Sequence, residues 1–311
     1  HCHFLEYGLQ KNMVDVSGAQ SFKEIIEILK LNQNKISNEW LIGYGWDQNQ
    51  WGDKNWPNNK LLNENFKNIN VILKRVDGHV IMANQKAIQT LKIPVDTIIS
   101  AGYIEKIDNI VTGLFVDNAM SLILDKIPES DEILKKKAIL KAQGDCLAFG
   151  LTTIDIAGLK KDDIDLLEKL HSTNELKIKV YAMLSNNEEN FKFYIDSIGH
   201  PYKTNKLNVR SFKFFADGSL GSRGACLLKP YSDQENSHGM LLQKKEIFEK
   251  KLRKIKSAGY QACTHSIGDS TNRSVLKSYS KILKSSNDLR WRIEHAQCVN
   301  SNDLHYFKEF N

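Results

Sequence analysis

Short runs of β-branched and aromatic residues alternate along this chain with longer segments in which apolar residues recur at helical spacing. Such an order is typical of a parallel sheet covered by helices, because each parallel strand needs a crossover connection to reach the next. The pattern therefore predicts an α/β protein, either a (β/α) barrel or an open doubly wound sheet. The predicted strands are 71–74, 151–156, 178–184, 209–216, 261–265 and 291–294, and the predicted helices are 21–31, 131–149, 161–171, 245–258 and 270–283.

The length of 311 residues suits one barrel domain with embellishments better than two equal domains. Between residues 40 and 116 the strand–helix pattern gives way to loops rich in Trp, Asn and Gly, followed by a short strand and helix. We predict that this segment is an insertion beside the barrel that caps the substrate. Because the chain opens on His1 and not on Met, we expect its natural N-terminus to lie further upstream.

Composition argues against several classes of partner. A hydrophobic fraction of 41% and a charged fraction of 26% are ordinary for a soluble globular protein, and no apolar run approaches the length of a membrane span. The net charge of +6 is spread over lysine-rich, helix-like segments at 131–141 and 244–256, which are typical of solvated helix faces. We therefore predict no nucleic-acid partner and no membrane association. Compartment and oligomeric state stay open, with a cytoplasmic homodimer as the working expectation.

Four histidines lie where predicted strands end. His265 closes the run 261–265, His295 follows the run 291–294, and His1 and His3 form a His-x-His pair. On an extended strand, residues two apart point to the same side, as two ligands of one metal require. In a parallel barrel the carboxyl ends of the strands meet on one face. Any one of these residues alone is more often a core or surface histidine, but together they predict a metal site.

Lys213 lies within an apolar strand, in the sequence Ser-Phe-Lys-Phe-Phe-Ala-Asp. Because burying an ammonium group is costly, this lysine must pair with an anion, lose its proton or be modified. A neutral lysine can react with carbon dioxide to give a carbamate, whose two oxygens could bridge two cations. The alternative is that Lys213 points outward toward the helices and reaches solvent. The strand alone favours neither.

Three polar residues after a predicted strand are candidates for substrate binding. Arg75, Asp77 and His79 form a compact cluster that could cap the active site and contact the substrate. A structural turn around Gly78 is the alternative.

Two further candidates for shaping the pocket are Asp217 and Trp46. Asp217 follows Lys213 at the strand end, which is the active-site face of a barrel, although it could also cap a helix. Trp46 could wall a substrate pocket, but buried aromatic residues belong more often to the core. Cys2 should point away from its two histidine neighbours, and the five cysteines have no spacing that predicts a disulfide framework or a CxxC zinc site.

The order and spacing of several motifs resemble those of the amidohydrolase superfamily, in the amidohydrolase-3 branch that includes N-substituted formamide deformylase-like enzymes. The similarity runs from the first residue almost to the last. The motifs are His-Cys-His at 1–3, Gly-Trp-Asp-Gln at 45–48, Arg-Val-Asp-Gly-His at 75–79, Gly-Leu-Thr-Thr at 150–153, Lys213 with Ala-Asp-Gly-Ser-Leu-Gly-Ser-Arg at 216–223, Thr-His-Ser-Ile-Gly-Asp at 264–269 and Ile-Glu-His-Ala-Gln at 293–297.

This resemblance implies a distorted TIM (β/α)8 barrel that holds one or two divalent metals, usually Zn²⁺. His1 and His3 would come from the first strand, a carboxylated, bridging Lys213 from the fourth, and His265 and His295 from the fifth and sixth. In such a site the metal activates water as hydroxide, which attacks a polarised carbonyl. The implied reaction is hydrolysis of an amide, or of another non-peptide C–N bond, in a small molecule.

The family pattern also includes a general-base aspartate at the end of the eighth strand, and this chain contains no residue that matches it. A flanking β-sandwich is also mostly missing, so we interpret the sequence as a partial barrel that lacks its last strands. Two other functions stay open. One is a catalytically degenerate barrel that acts as a binding protein, and the other is a metal-dependent deaminase or esterase.

Overall fold

The computed structural model describes residues 1–94, 96–127 and 130–309 as a mixed α/β protein. The chain divides into two compact units, each with its own sheet. The first unit comprises His1–Leu9, Ser130–Asp217 and Ala225–Asn311, and the second comprises Gln10–Glu129 and Gly218–Gly224. Among the described residues, no helix combines the length and the apolar character needed to cross a membrane.

A curled, parallel half-barrel sheet forms the centre of the first unit. Its strands lie side by side in chain order, which distinguishes it from a doubly wound sheet. Cys2 forms a parallel bridge to Ile156, so the first three residues continue the sheet beyond β1. The strands are β1 (Thr153–Leu159), β2 (Lys179–Ser185), β3 (Leu207–Phe215), β4 (Gln261–Ser266) and β5 (Arg292–His295), with Tyr202–Lys203 paired antiparallel to β3.

The helices of the first unit cover one face of this sheet. Phe212 and Phe214 of β3 point into the apolar core on that side, where the Phe214 ring lies 5.5 Å from the ring of Phe248. Each predicted helix of this unit is confirmed to within one residue at either end, because its apolar spacing is a local property of the sequence. The helices are Phe4–Gln10, Glu132–Ala148, Lys161–Ser172, Glu188–Asn190 continued by a π-helix at Phe191–Ile198, Lys245–Ser257, Asp269–Leu283 and His305–Glu309.

The second unit contains a six-stranded mixed sheet. Its first three strands are parallel and the remaining pairs are antiparallel. In spatial order the strands are Val14–Asp15, Trp40–Trp46, Asn70–Arg75, Val80–Ala83, Ile110–Asp117 and Gly102–Ile107. The helices are Phe22–Leu31, Lys60–Asn65, Gln85–Thr90 and Ser121–Leu124, with 3-10 turns at Gln33–Lys35, Gln48–Gln50 and Asn118–Met120.

The predicted strand 71–74 is confirmed within Asn70–Arg75, but the prediction that the rest of 40–116 consists of loops with one short strand and helix is wrong, since five of these six strands begin there. Val80–Ala83 is buried at every position, so it lacks the apolar–polar alternation that marks a half-buried strand. The hairpin between Gly102–Ile107 and Ile110–Asp117 turns at Asp108 and Asn109, both with positive φ, as in a tight two-residue hairpin turn. The predicted capping role of this segment stays a prediction.

Two glycines in helices of the first unit have opposite surroundings. A Cβ on Gly8 would stand 2.2 Å from the carbonyl oxygen of Ala138, whereas a Cβ on Gly144 would meet nothing within 4 Å. We expect Gly144→Ala to raise the free energy of unfolding by about 0.5–1 kcal/mol, because alanine is the better helix former. Gly8→Ala should lower it by roughly 1–3 kcal/mol through the clash. Urea denaturation of both variants checks this, and equal shifts would contradict it.

Candidate metal centre

Lys213 lies on the face of the sheet that points away from the helices. Its neighbours Phe212 and Phe214 occupy the helix side, so the alternative in which Lys213 reaches out between the helices is wrong. The side chain is buried, with 1% of the residue exposed, and its Nζ lies 3.4 Å from Nε2 of His1. Nζ also stands 4.7 Å from the ring centroid of Phe215, two residues along the same face.

Burial makes the neutral form of Lys213 more accessible than that of a lysine side chain in water. Burial lowers the pKa of Lys213 to about 8, an effect that the nearby Glu294 opposes. Among the described residues, no carboxylate forms an ion pair with its Nζ. Burial, reinforced by Lys213, also lowers the pKa of His3 and so favours the neutral imidazole that binds metals.

The structure gathers four histidines beside Lys213. The ring of His1 lies 5.8 Å from that of His3 and 5.1 Å from that of His295. The ring of His295 in turn lies 4.7 Å from that of His265. The five residues that the sequence predicts as ligands therefore form one continuous cluster at the carboxyl ends of the strands.

Backbone pairing sets the direction of the first two histidines. Cys2 exchanges two hydrogen bonds with the backbone of β1, at 2.8 and 2.9 Å, and its side chain packs against the core of the unit. Because side chains alternate along extended backbone, His1 and His3 both point the other way. The predicted orientation of Cys2 is confirmed.

The register between β3 and β4 sets the direction of His265, and the backbone conformation at the end of β5 sets that of His295. Lys213 pairs with Cys263 across β3 and β4, and Phe215 pairs with His265, so His265 shares the face that carries Lys213. His295 ends β5 with a φ of +75°, a left-handed conformation that is uncommon outside glycine. Strained backbone of this kind concentrates at functional sites.

Glu294 is a member of this cluster that the sequence reasoning did not single out as a site residue. It pairs with His265 across β4 and β5 and therefore lies on the same face. One of its carboxylate oxygens lies within hydrogen-bond distance of Nδ1 of His1, and the other accepts a hydrogen bond from Nε of Arg292. Side-chain alternation from His265 through the strand pairing is the signal that could have found it, but the register is needed first.

Asp217, a predicted substrate-binding residue, is fully buried beside the cluster. Its carboxylate accepts hydrogen bonds from three backbone N–H groups, those of Ile267 at 3.0 Å, Gly268 at 2.8 Å and Cys226 at 3.0 Å. Burial raises the pKa of Asp217, and these hydrogen bonds oppose that rise. Its Oδ1 also lies 3.6 Å from Nε2 of His265. These contacts give Asp217 a structural role at the end of β4, and its contact with a substrate stays a prediction.

The donor types of this cluster fit a divalent metal, although their present directions do not converge on one. Within residues 1–94, 96–127 and 130–309, no three His, Cys, Asp or Glu side chains stand in an arrangement that could hold a metal ion. Imidazole nitrogens together with carboxylate-type oxygens suit Zn²⁺ and similar metals. A carbamate on Lys213 would add two such oxygens beside His1 in this cluster. The observation that fits this modification is the buried amine, which forms no ion pair with any carboxylate in the part of the chain that the structure describes.

Arg75 and Asp77 form a buried polar network in the second unit. The guanidinium of Arg75 donates to Oε1 of Gln48 at 2.9 Å and to Oδ1 of Asp47 at 2.6 Å, and it pairs with Asp77. Asp77 also accepts a hydrogen bond from the hydroxyl of Ser219. Each charge in this network has a protein partner, so the network needs no substrate to compensate its charges.

The turn that follows Arg75 carries His79. Gly78 has a φ of +74°, and the backbone N–H of His79 donates to Oδ1 of Asp77 at 3.1 Å. Nδ1 of His79 lies 2.7 Å from Oδ1 of the buried Asp117. The structure therefore contains the turn that was the alternative interpretation, and the substrate contacts of Arg75, Asp77 and His79 stay predictions.

Trp46 packs in the core of the second unit with 1% of its surface exposed. Its ring lies 6.1 Å from those of Trp51 and Trp56, and its Nε1 donates to the carbonyl of Leu73 at 3.2 Å. This is the core location that buried aromatic residues usually have. The predicted contact of Trp46 with a substrate is untested.

Two curated relatives are similar in sequence to nearly the whole of this chain, at low identity. The chain is 26% identical over 309 residues to the putative amidohydrolase YtcJ of Bacillus subtilis (strain 168), a match that covers 97% of this chain and 58% of YtcJ. It is also 26% identical over 314 residues to protein LONG AFTER FAR-RED 3 of Arabidopsis thaliana, a match that covers 96% of this chain and 53% of that protein. The chain thus spans little more than half the length of these relatives.

Two solved structures resemble the fold. An uncharacterized metal-dependent hydrolase from Pyrococcus horikoshii matches with a TM-score of 0.73 and 28% identity, over 99% of this chain and 59% of that one. A second uncharacterized metal-dependent hydrolase, from Pyrococcus furiosus, matches with a TM-score of 0.69 and 26% identity, over 99% of this chain and 61% of that one.

The family profile Amidohydro_3, described as the amidohydrolase family, matches residues 1–311. This match confirms the resemblance that the order and spacing of the motifs indicated. The chain belongs to the amidohydrolase family.

Proposed function

We propose that this chain carries most of the active site of a metal-dependent hydrolase that cleaves an amide, or another non-peptide C–N bond, of a small molecule. The observation that carries the proposal is the buried Lys213, which has no ion-pair partner among the described residues and lies within a cluster of four histidines. The similar proteins support it, since two of them are metal-dependent hydrolases and one is a putative amidohydrolase. Because the chain covers little more than half of each relative, this activity is proposed for the whole protein.

The residues that would hold one or two divalent metals, Zn²⁺ first among them, are His1, His3, His265, His295 and a carboxylated Lys213. When bound, such a metal supplies a Lewis acid that polarises a carbonyl and lowers the pKa of water. We further propose that the half-barrel sheet is part of a distorted TIM (β/α)8 barrel.

Carboxylation of Lys213 needs only the neutral amine and carbon dioxide. The lone pair of Nζ attacks the carbon of carbon dioxide, an N–C bond forms, and one C–O π pair moves onto oxygen. The nitrogen then releases a proton, which leaves a carbamate with one negative charge. Burial favours the first step, because it lowers the pKa of Lys213 to about 8 and so increases the share of amine that carries a lone pair near neutral pH.

This chemistry predicts a pH dependence in the metal-free protein. Since the protonated amine cannot react, carbamate on Lys213 should be scarce about one unit below pH 8 and abundant about one unit above it. Carbonyl NMR of protein equilibrated with isotope-labelled bicarbonate measures the signal. The Lys213→Arg variant should lose the carbamate signal. The Lys251→Arg variant should keep the signal, because the amine of the half-buried Lys251 donates hydrogen bonds to Asn186 and is not expected to react. A signal that does not change over this range would contradict the prediction.

The function itself is tested by offering the metal-loaded, full-length protein a panel of small amides, N-formyl amines, esters and amino-heterocycles. We expect hydrolysis of amides or N-formyl amines. Turnover of esters or amino-heterocycles alone would favour the esterase or deaminase alternative, which uses the same activated water. Tight metal binding without turnover of any of them would favour the binding-protein alternative.

A further inference from the structure

Glu294 connects the N-terminal histidine pair to the far strand of the half-barrel sheet. Only 7% of its side chain is exposed, and both carboxylate oxygens are engaged. Oε2 lies within hydrogen-bond distance of Nδ1 of His1, and Oε1 accepts a hydrogen bond from Nε of Arg292. A carboxylate that is held at one oxygen can orient the group bound to its other oxygen.

Arg292 fixes Glu294 in this position. Its Nη1 donates to Oδ2 of Asp155 on β1 at 3.1 Å, and its Cζ lies 5.6 Å from the ring centroid of Tyr181 on β2. The fork of the guanidinium is therefore engaged on two sides, and its plane is set by groups on other strands. His1 thus interacts with a carboxylate that is anchored independently of His1 itself.

We propose that Glu294 is a positioning residue that holds His1 with its proton on Nδ1 and so leaves Nε2 as the metal-binding atom. This inference rests on the proposed metal-dependent function. An ionised carboxylate only accepts hydrogen bonds, so the nitrogen that faces it must carry the hydrogen. The lone pair then belongs to Nε2, which lies 3.4 Å from the Lys213 amine on which the carbamate would form.

A carboxylate that accepts a hydrogen bond from a metal-binding imidazole sets both the tautomer and the ring orientation of that imidazole. In this cluster, Glu294 is the carboxylate whose oxygen contacts His1. It comes from β5, whereas His1 lies beyond β1 at the other side of the sheet. The contact therefore brings the first and last segments of the half-barrel to one ligand set.

Glu249 provides a matched control in the same unit. It is also a buried glutamate, 5% exposed, but its carboxylate pairs with Lys281 and Arg253, each at 2.8 Å. Removing the charge of Glu249 changes the stability of the fold and leaves the histidine cluster untouched. A general effect of removing a buried glutamate would therefore be the same in both variants.

The experiment compares Glu294→Gln with Glu249→Gln in the full-length protein. Zn²⁺ affinity is measured by competition with a chelator, and the tautomer of His1 by nitrogen NMR of the imidazole. We expect the apparent Kd for Zn²⁺ to rise roughly 10- to 100-fold in Glu294→Gln and to stay unchanged in Glu249→Gln. The NMR signature of Nδ1–H on His1 should weaken only in Glu294→Gln.

An unchanged Kd and tautomer in a folded Glu294→Gln variant would overturn the inference while leaving the proposed function intact. X-ray absorption that shows a carboxylate ligand lost from the metal would also overturn it, because Glu294 would then be a ligand itself. A wild-type protein that binds no Zn²⁺ would remove both proposals. If Glu294→Gln does not fold, the Arg292→Lys variant provides the test, because lysine keeps the positive charge but lacks the forked guanidinium that holds Glu294. A rise in the Kd for Zn²⁺ that is smaller than the one expected for Glu294→Gln supports the inference, and no rise overturns it.

Discussion

The Lys213→Ala variant should lose its divalent metal and at least about 1000-fold of kcat/KM, equivalent to about 4 kcal/mol of transition-state stabilisation. Lys213 is the residue of the cluster that can supply a bridging anion, and alanine supplies no oxygen at that position. The four histidines would remain, but as neutral ligands they would not balance the positive charge of the metal that they would hold. Metal content and initial rates on the preferred amide measure both losses.

Two comparisons give this prediction a control. Lys251→Ala removes another half-buried lysine of the first unit, one that donates to Asn186 at 2.9 and 2.7 Å, and should keep metal and activity. A short carboxylic acid added to Lys213→Ala should restore part of the activity, because it returns a carboxylate to the space left by the side chain. Metal content and rate equal to those of the wild type would show that Lys213 has only a structural role.

The Asp217→Ala variant should lower the free energy of unfolding by at least about 3 kcal/mol. Its buried carboxylate is the acceptor for the backbone N–H groups of Cys226, Ile267 and Gly268, and each buried donor left without a partner costs about 1–3 kcal/mol. The loss would loosen the end of β4, where His265 is placed. Urea unfolding followed by circular dichroism measures it.

Asp303→Ala is the matched control for this variant, since Asp303 is also a buried acid but is held by the side chain of Arg273 at 2.8 Å. Its removal leaves a partly exposed guanidinium that water can solvate, so a smaller loss is expected. A loss below about 1 kcal/mol in Asp217→Ala, or one no larger than that in Asp303→Ala, would contradict the role assigned to the three backbone hydrogen bonds.

The parts of the fold that the sequence predicted are those determined locally. The helices Lys161–Ser172 and Lys245–Ser257 were predicted within one residue, because apolar spacing defines a helix without reference to the rest of the chain. The strand Val80–Ala83 was missed, because a strand buried on both faces carries no alternation. The hairpin turn at Asp108 and Asn109 was missed because it lacks the glycine that usually marks a two-residue turn with positive φ.

The residues of the candidate site also fall into those that local sequence could predict and those that required the tertiary structure. His265 and His295 could be found because each ends a strand, and strand ends meet on one face of a parallel sheet. The direction of Lys213 required the register between β3 and β4, which apolar pattern alone does not provide. Glu294 could not be assigned to His1 because the two residues are 293 positions apart, and the contact exists only once the sheet has formed.

Asp217 shows a further reason why sequence patterns are incomplete. Its partners are backbone N–H groups, which every residue type except proline has, so no pattern of side chains in the sequence predicts them. The carboxylate at the end of β3 was therefore interpreted as a substrate contact or a helix cap, and its observed hydrogen bonds come from two other segments. Roles of this kind depend on the tertiary structure alone.

The central claim is a metal centre built on a carboxylated Lys213, and one combined measurement tests it most directly. Elemental analysis of the full-length protein should find about one or two divalent metals per chain, and electron density at Lys213 should extend by one carboxylate group. Well-folded protein with no divalent metal and an unmodified Lys213 would contradict the account and favour a barrel that binds its ligand without hydrolysing it.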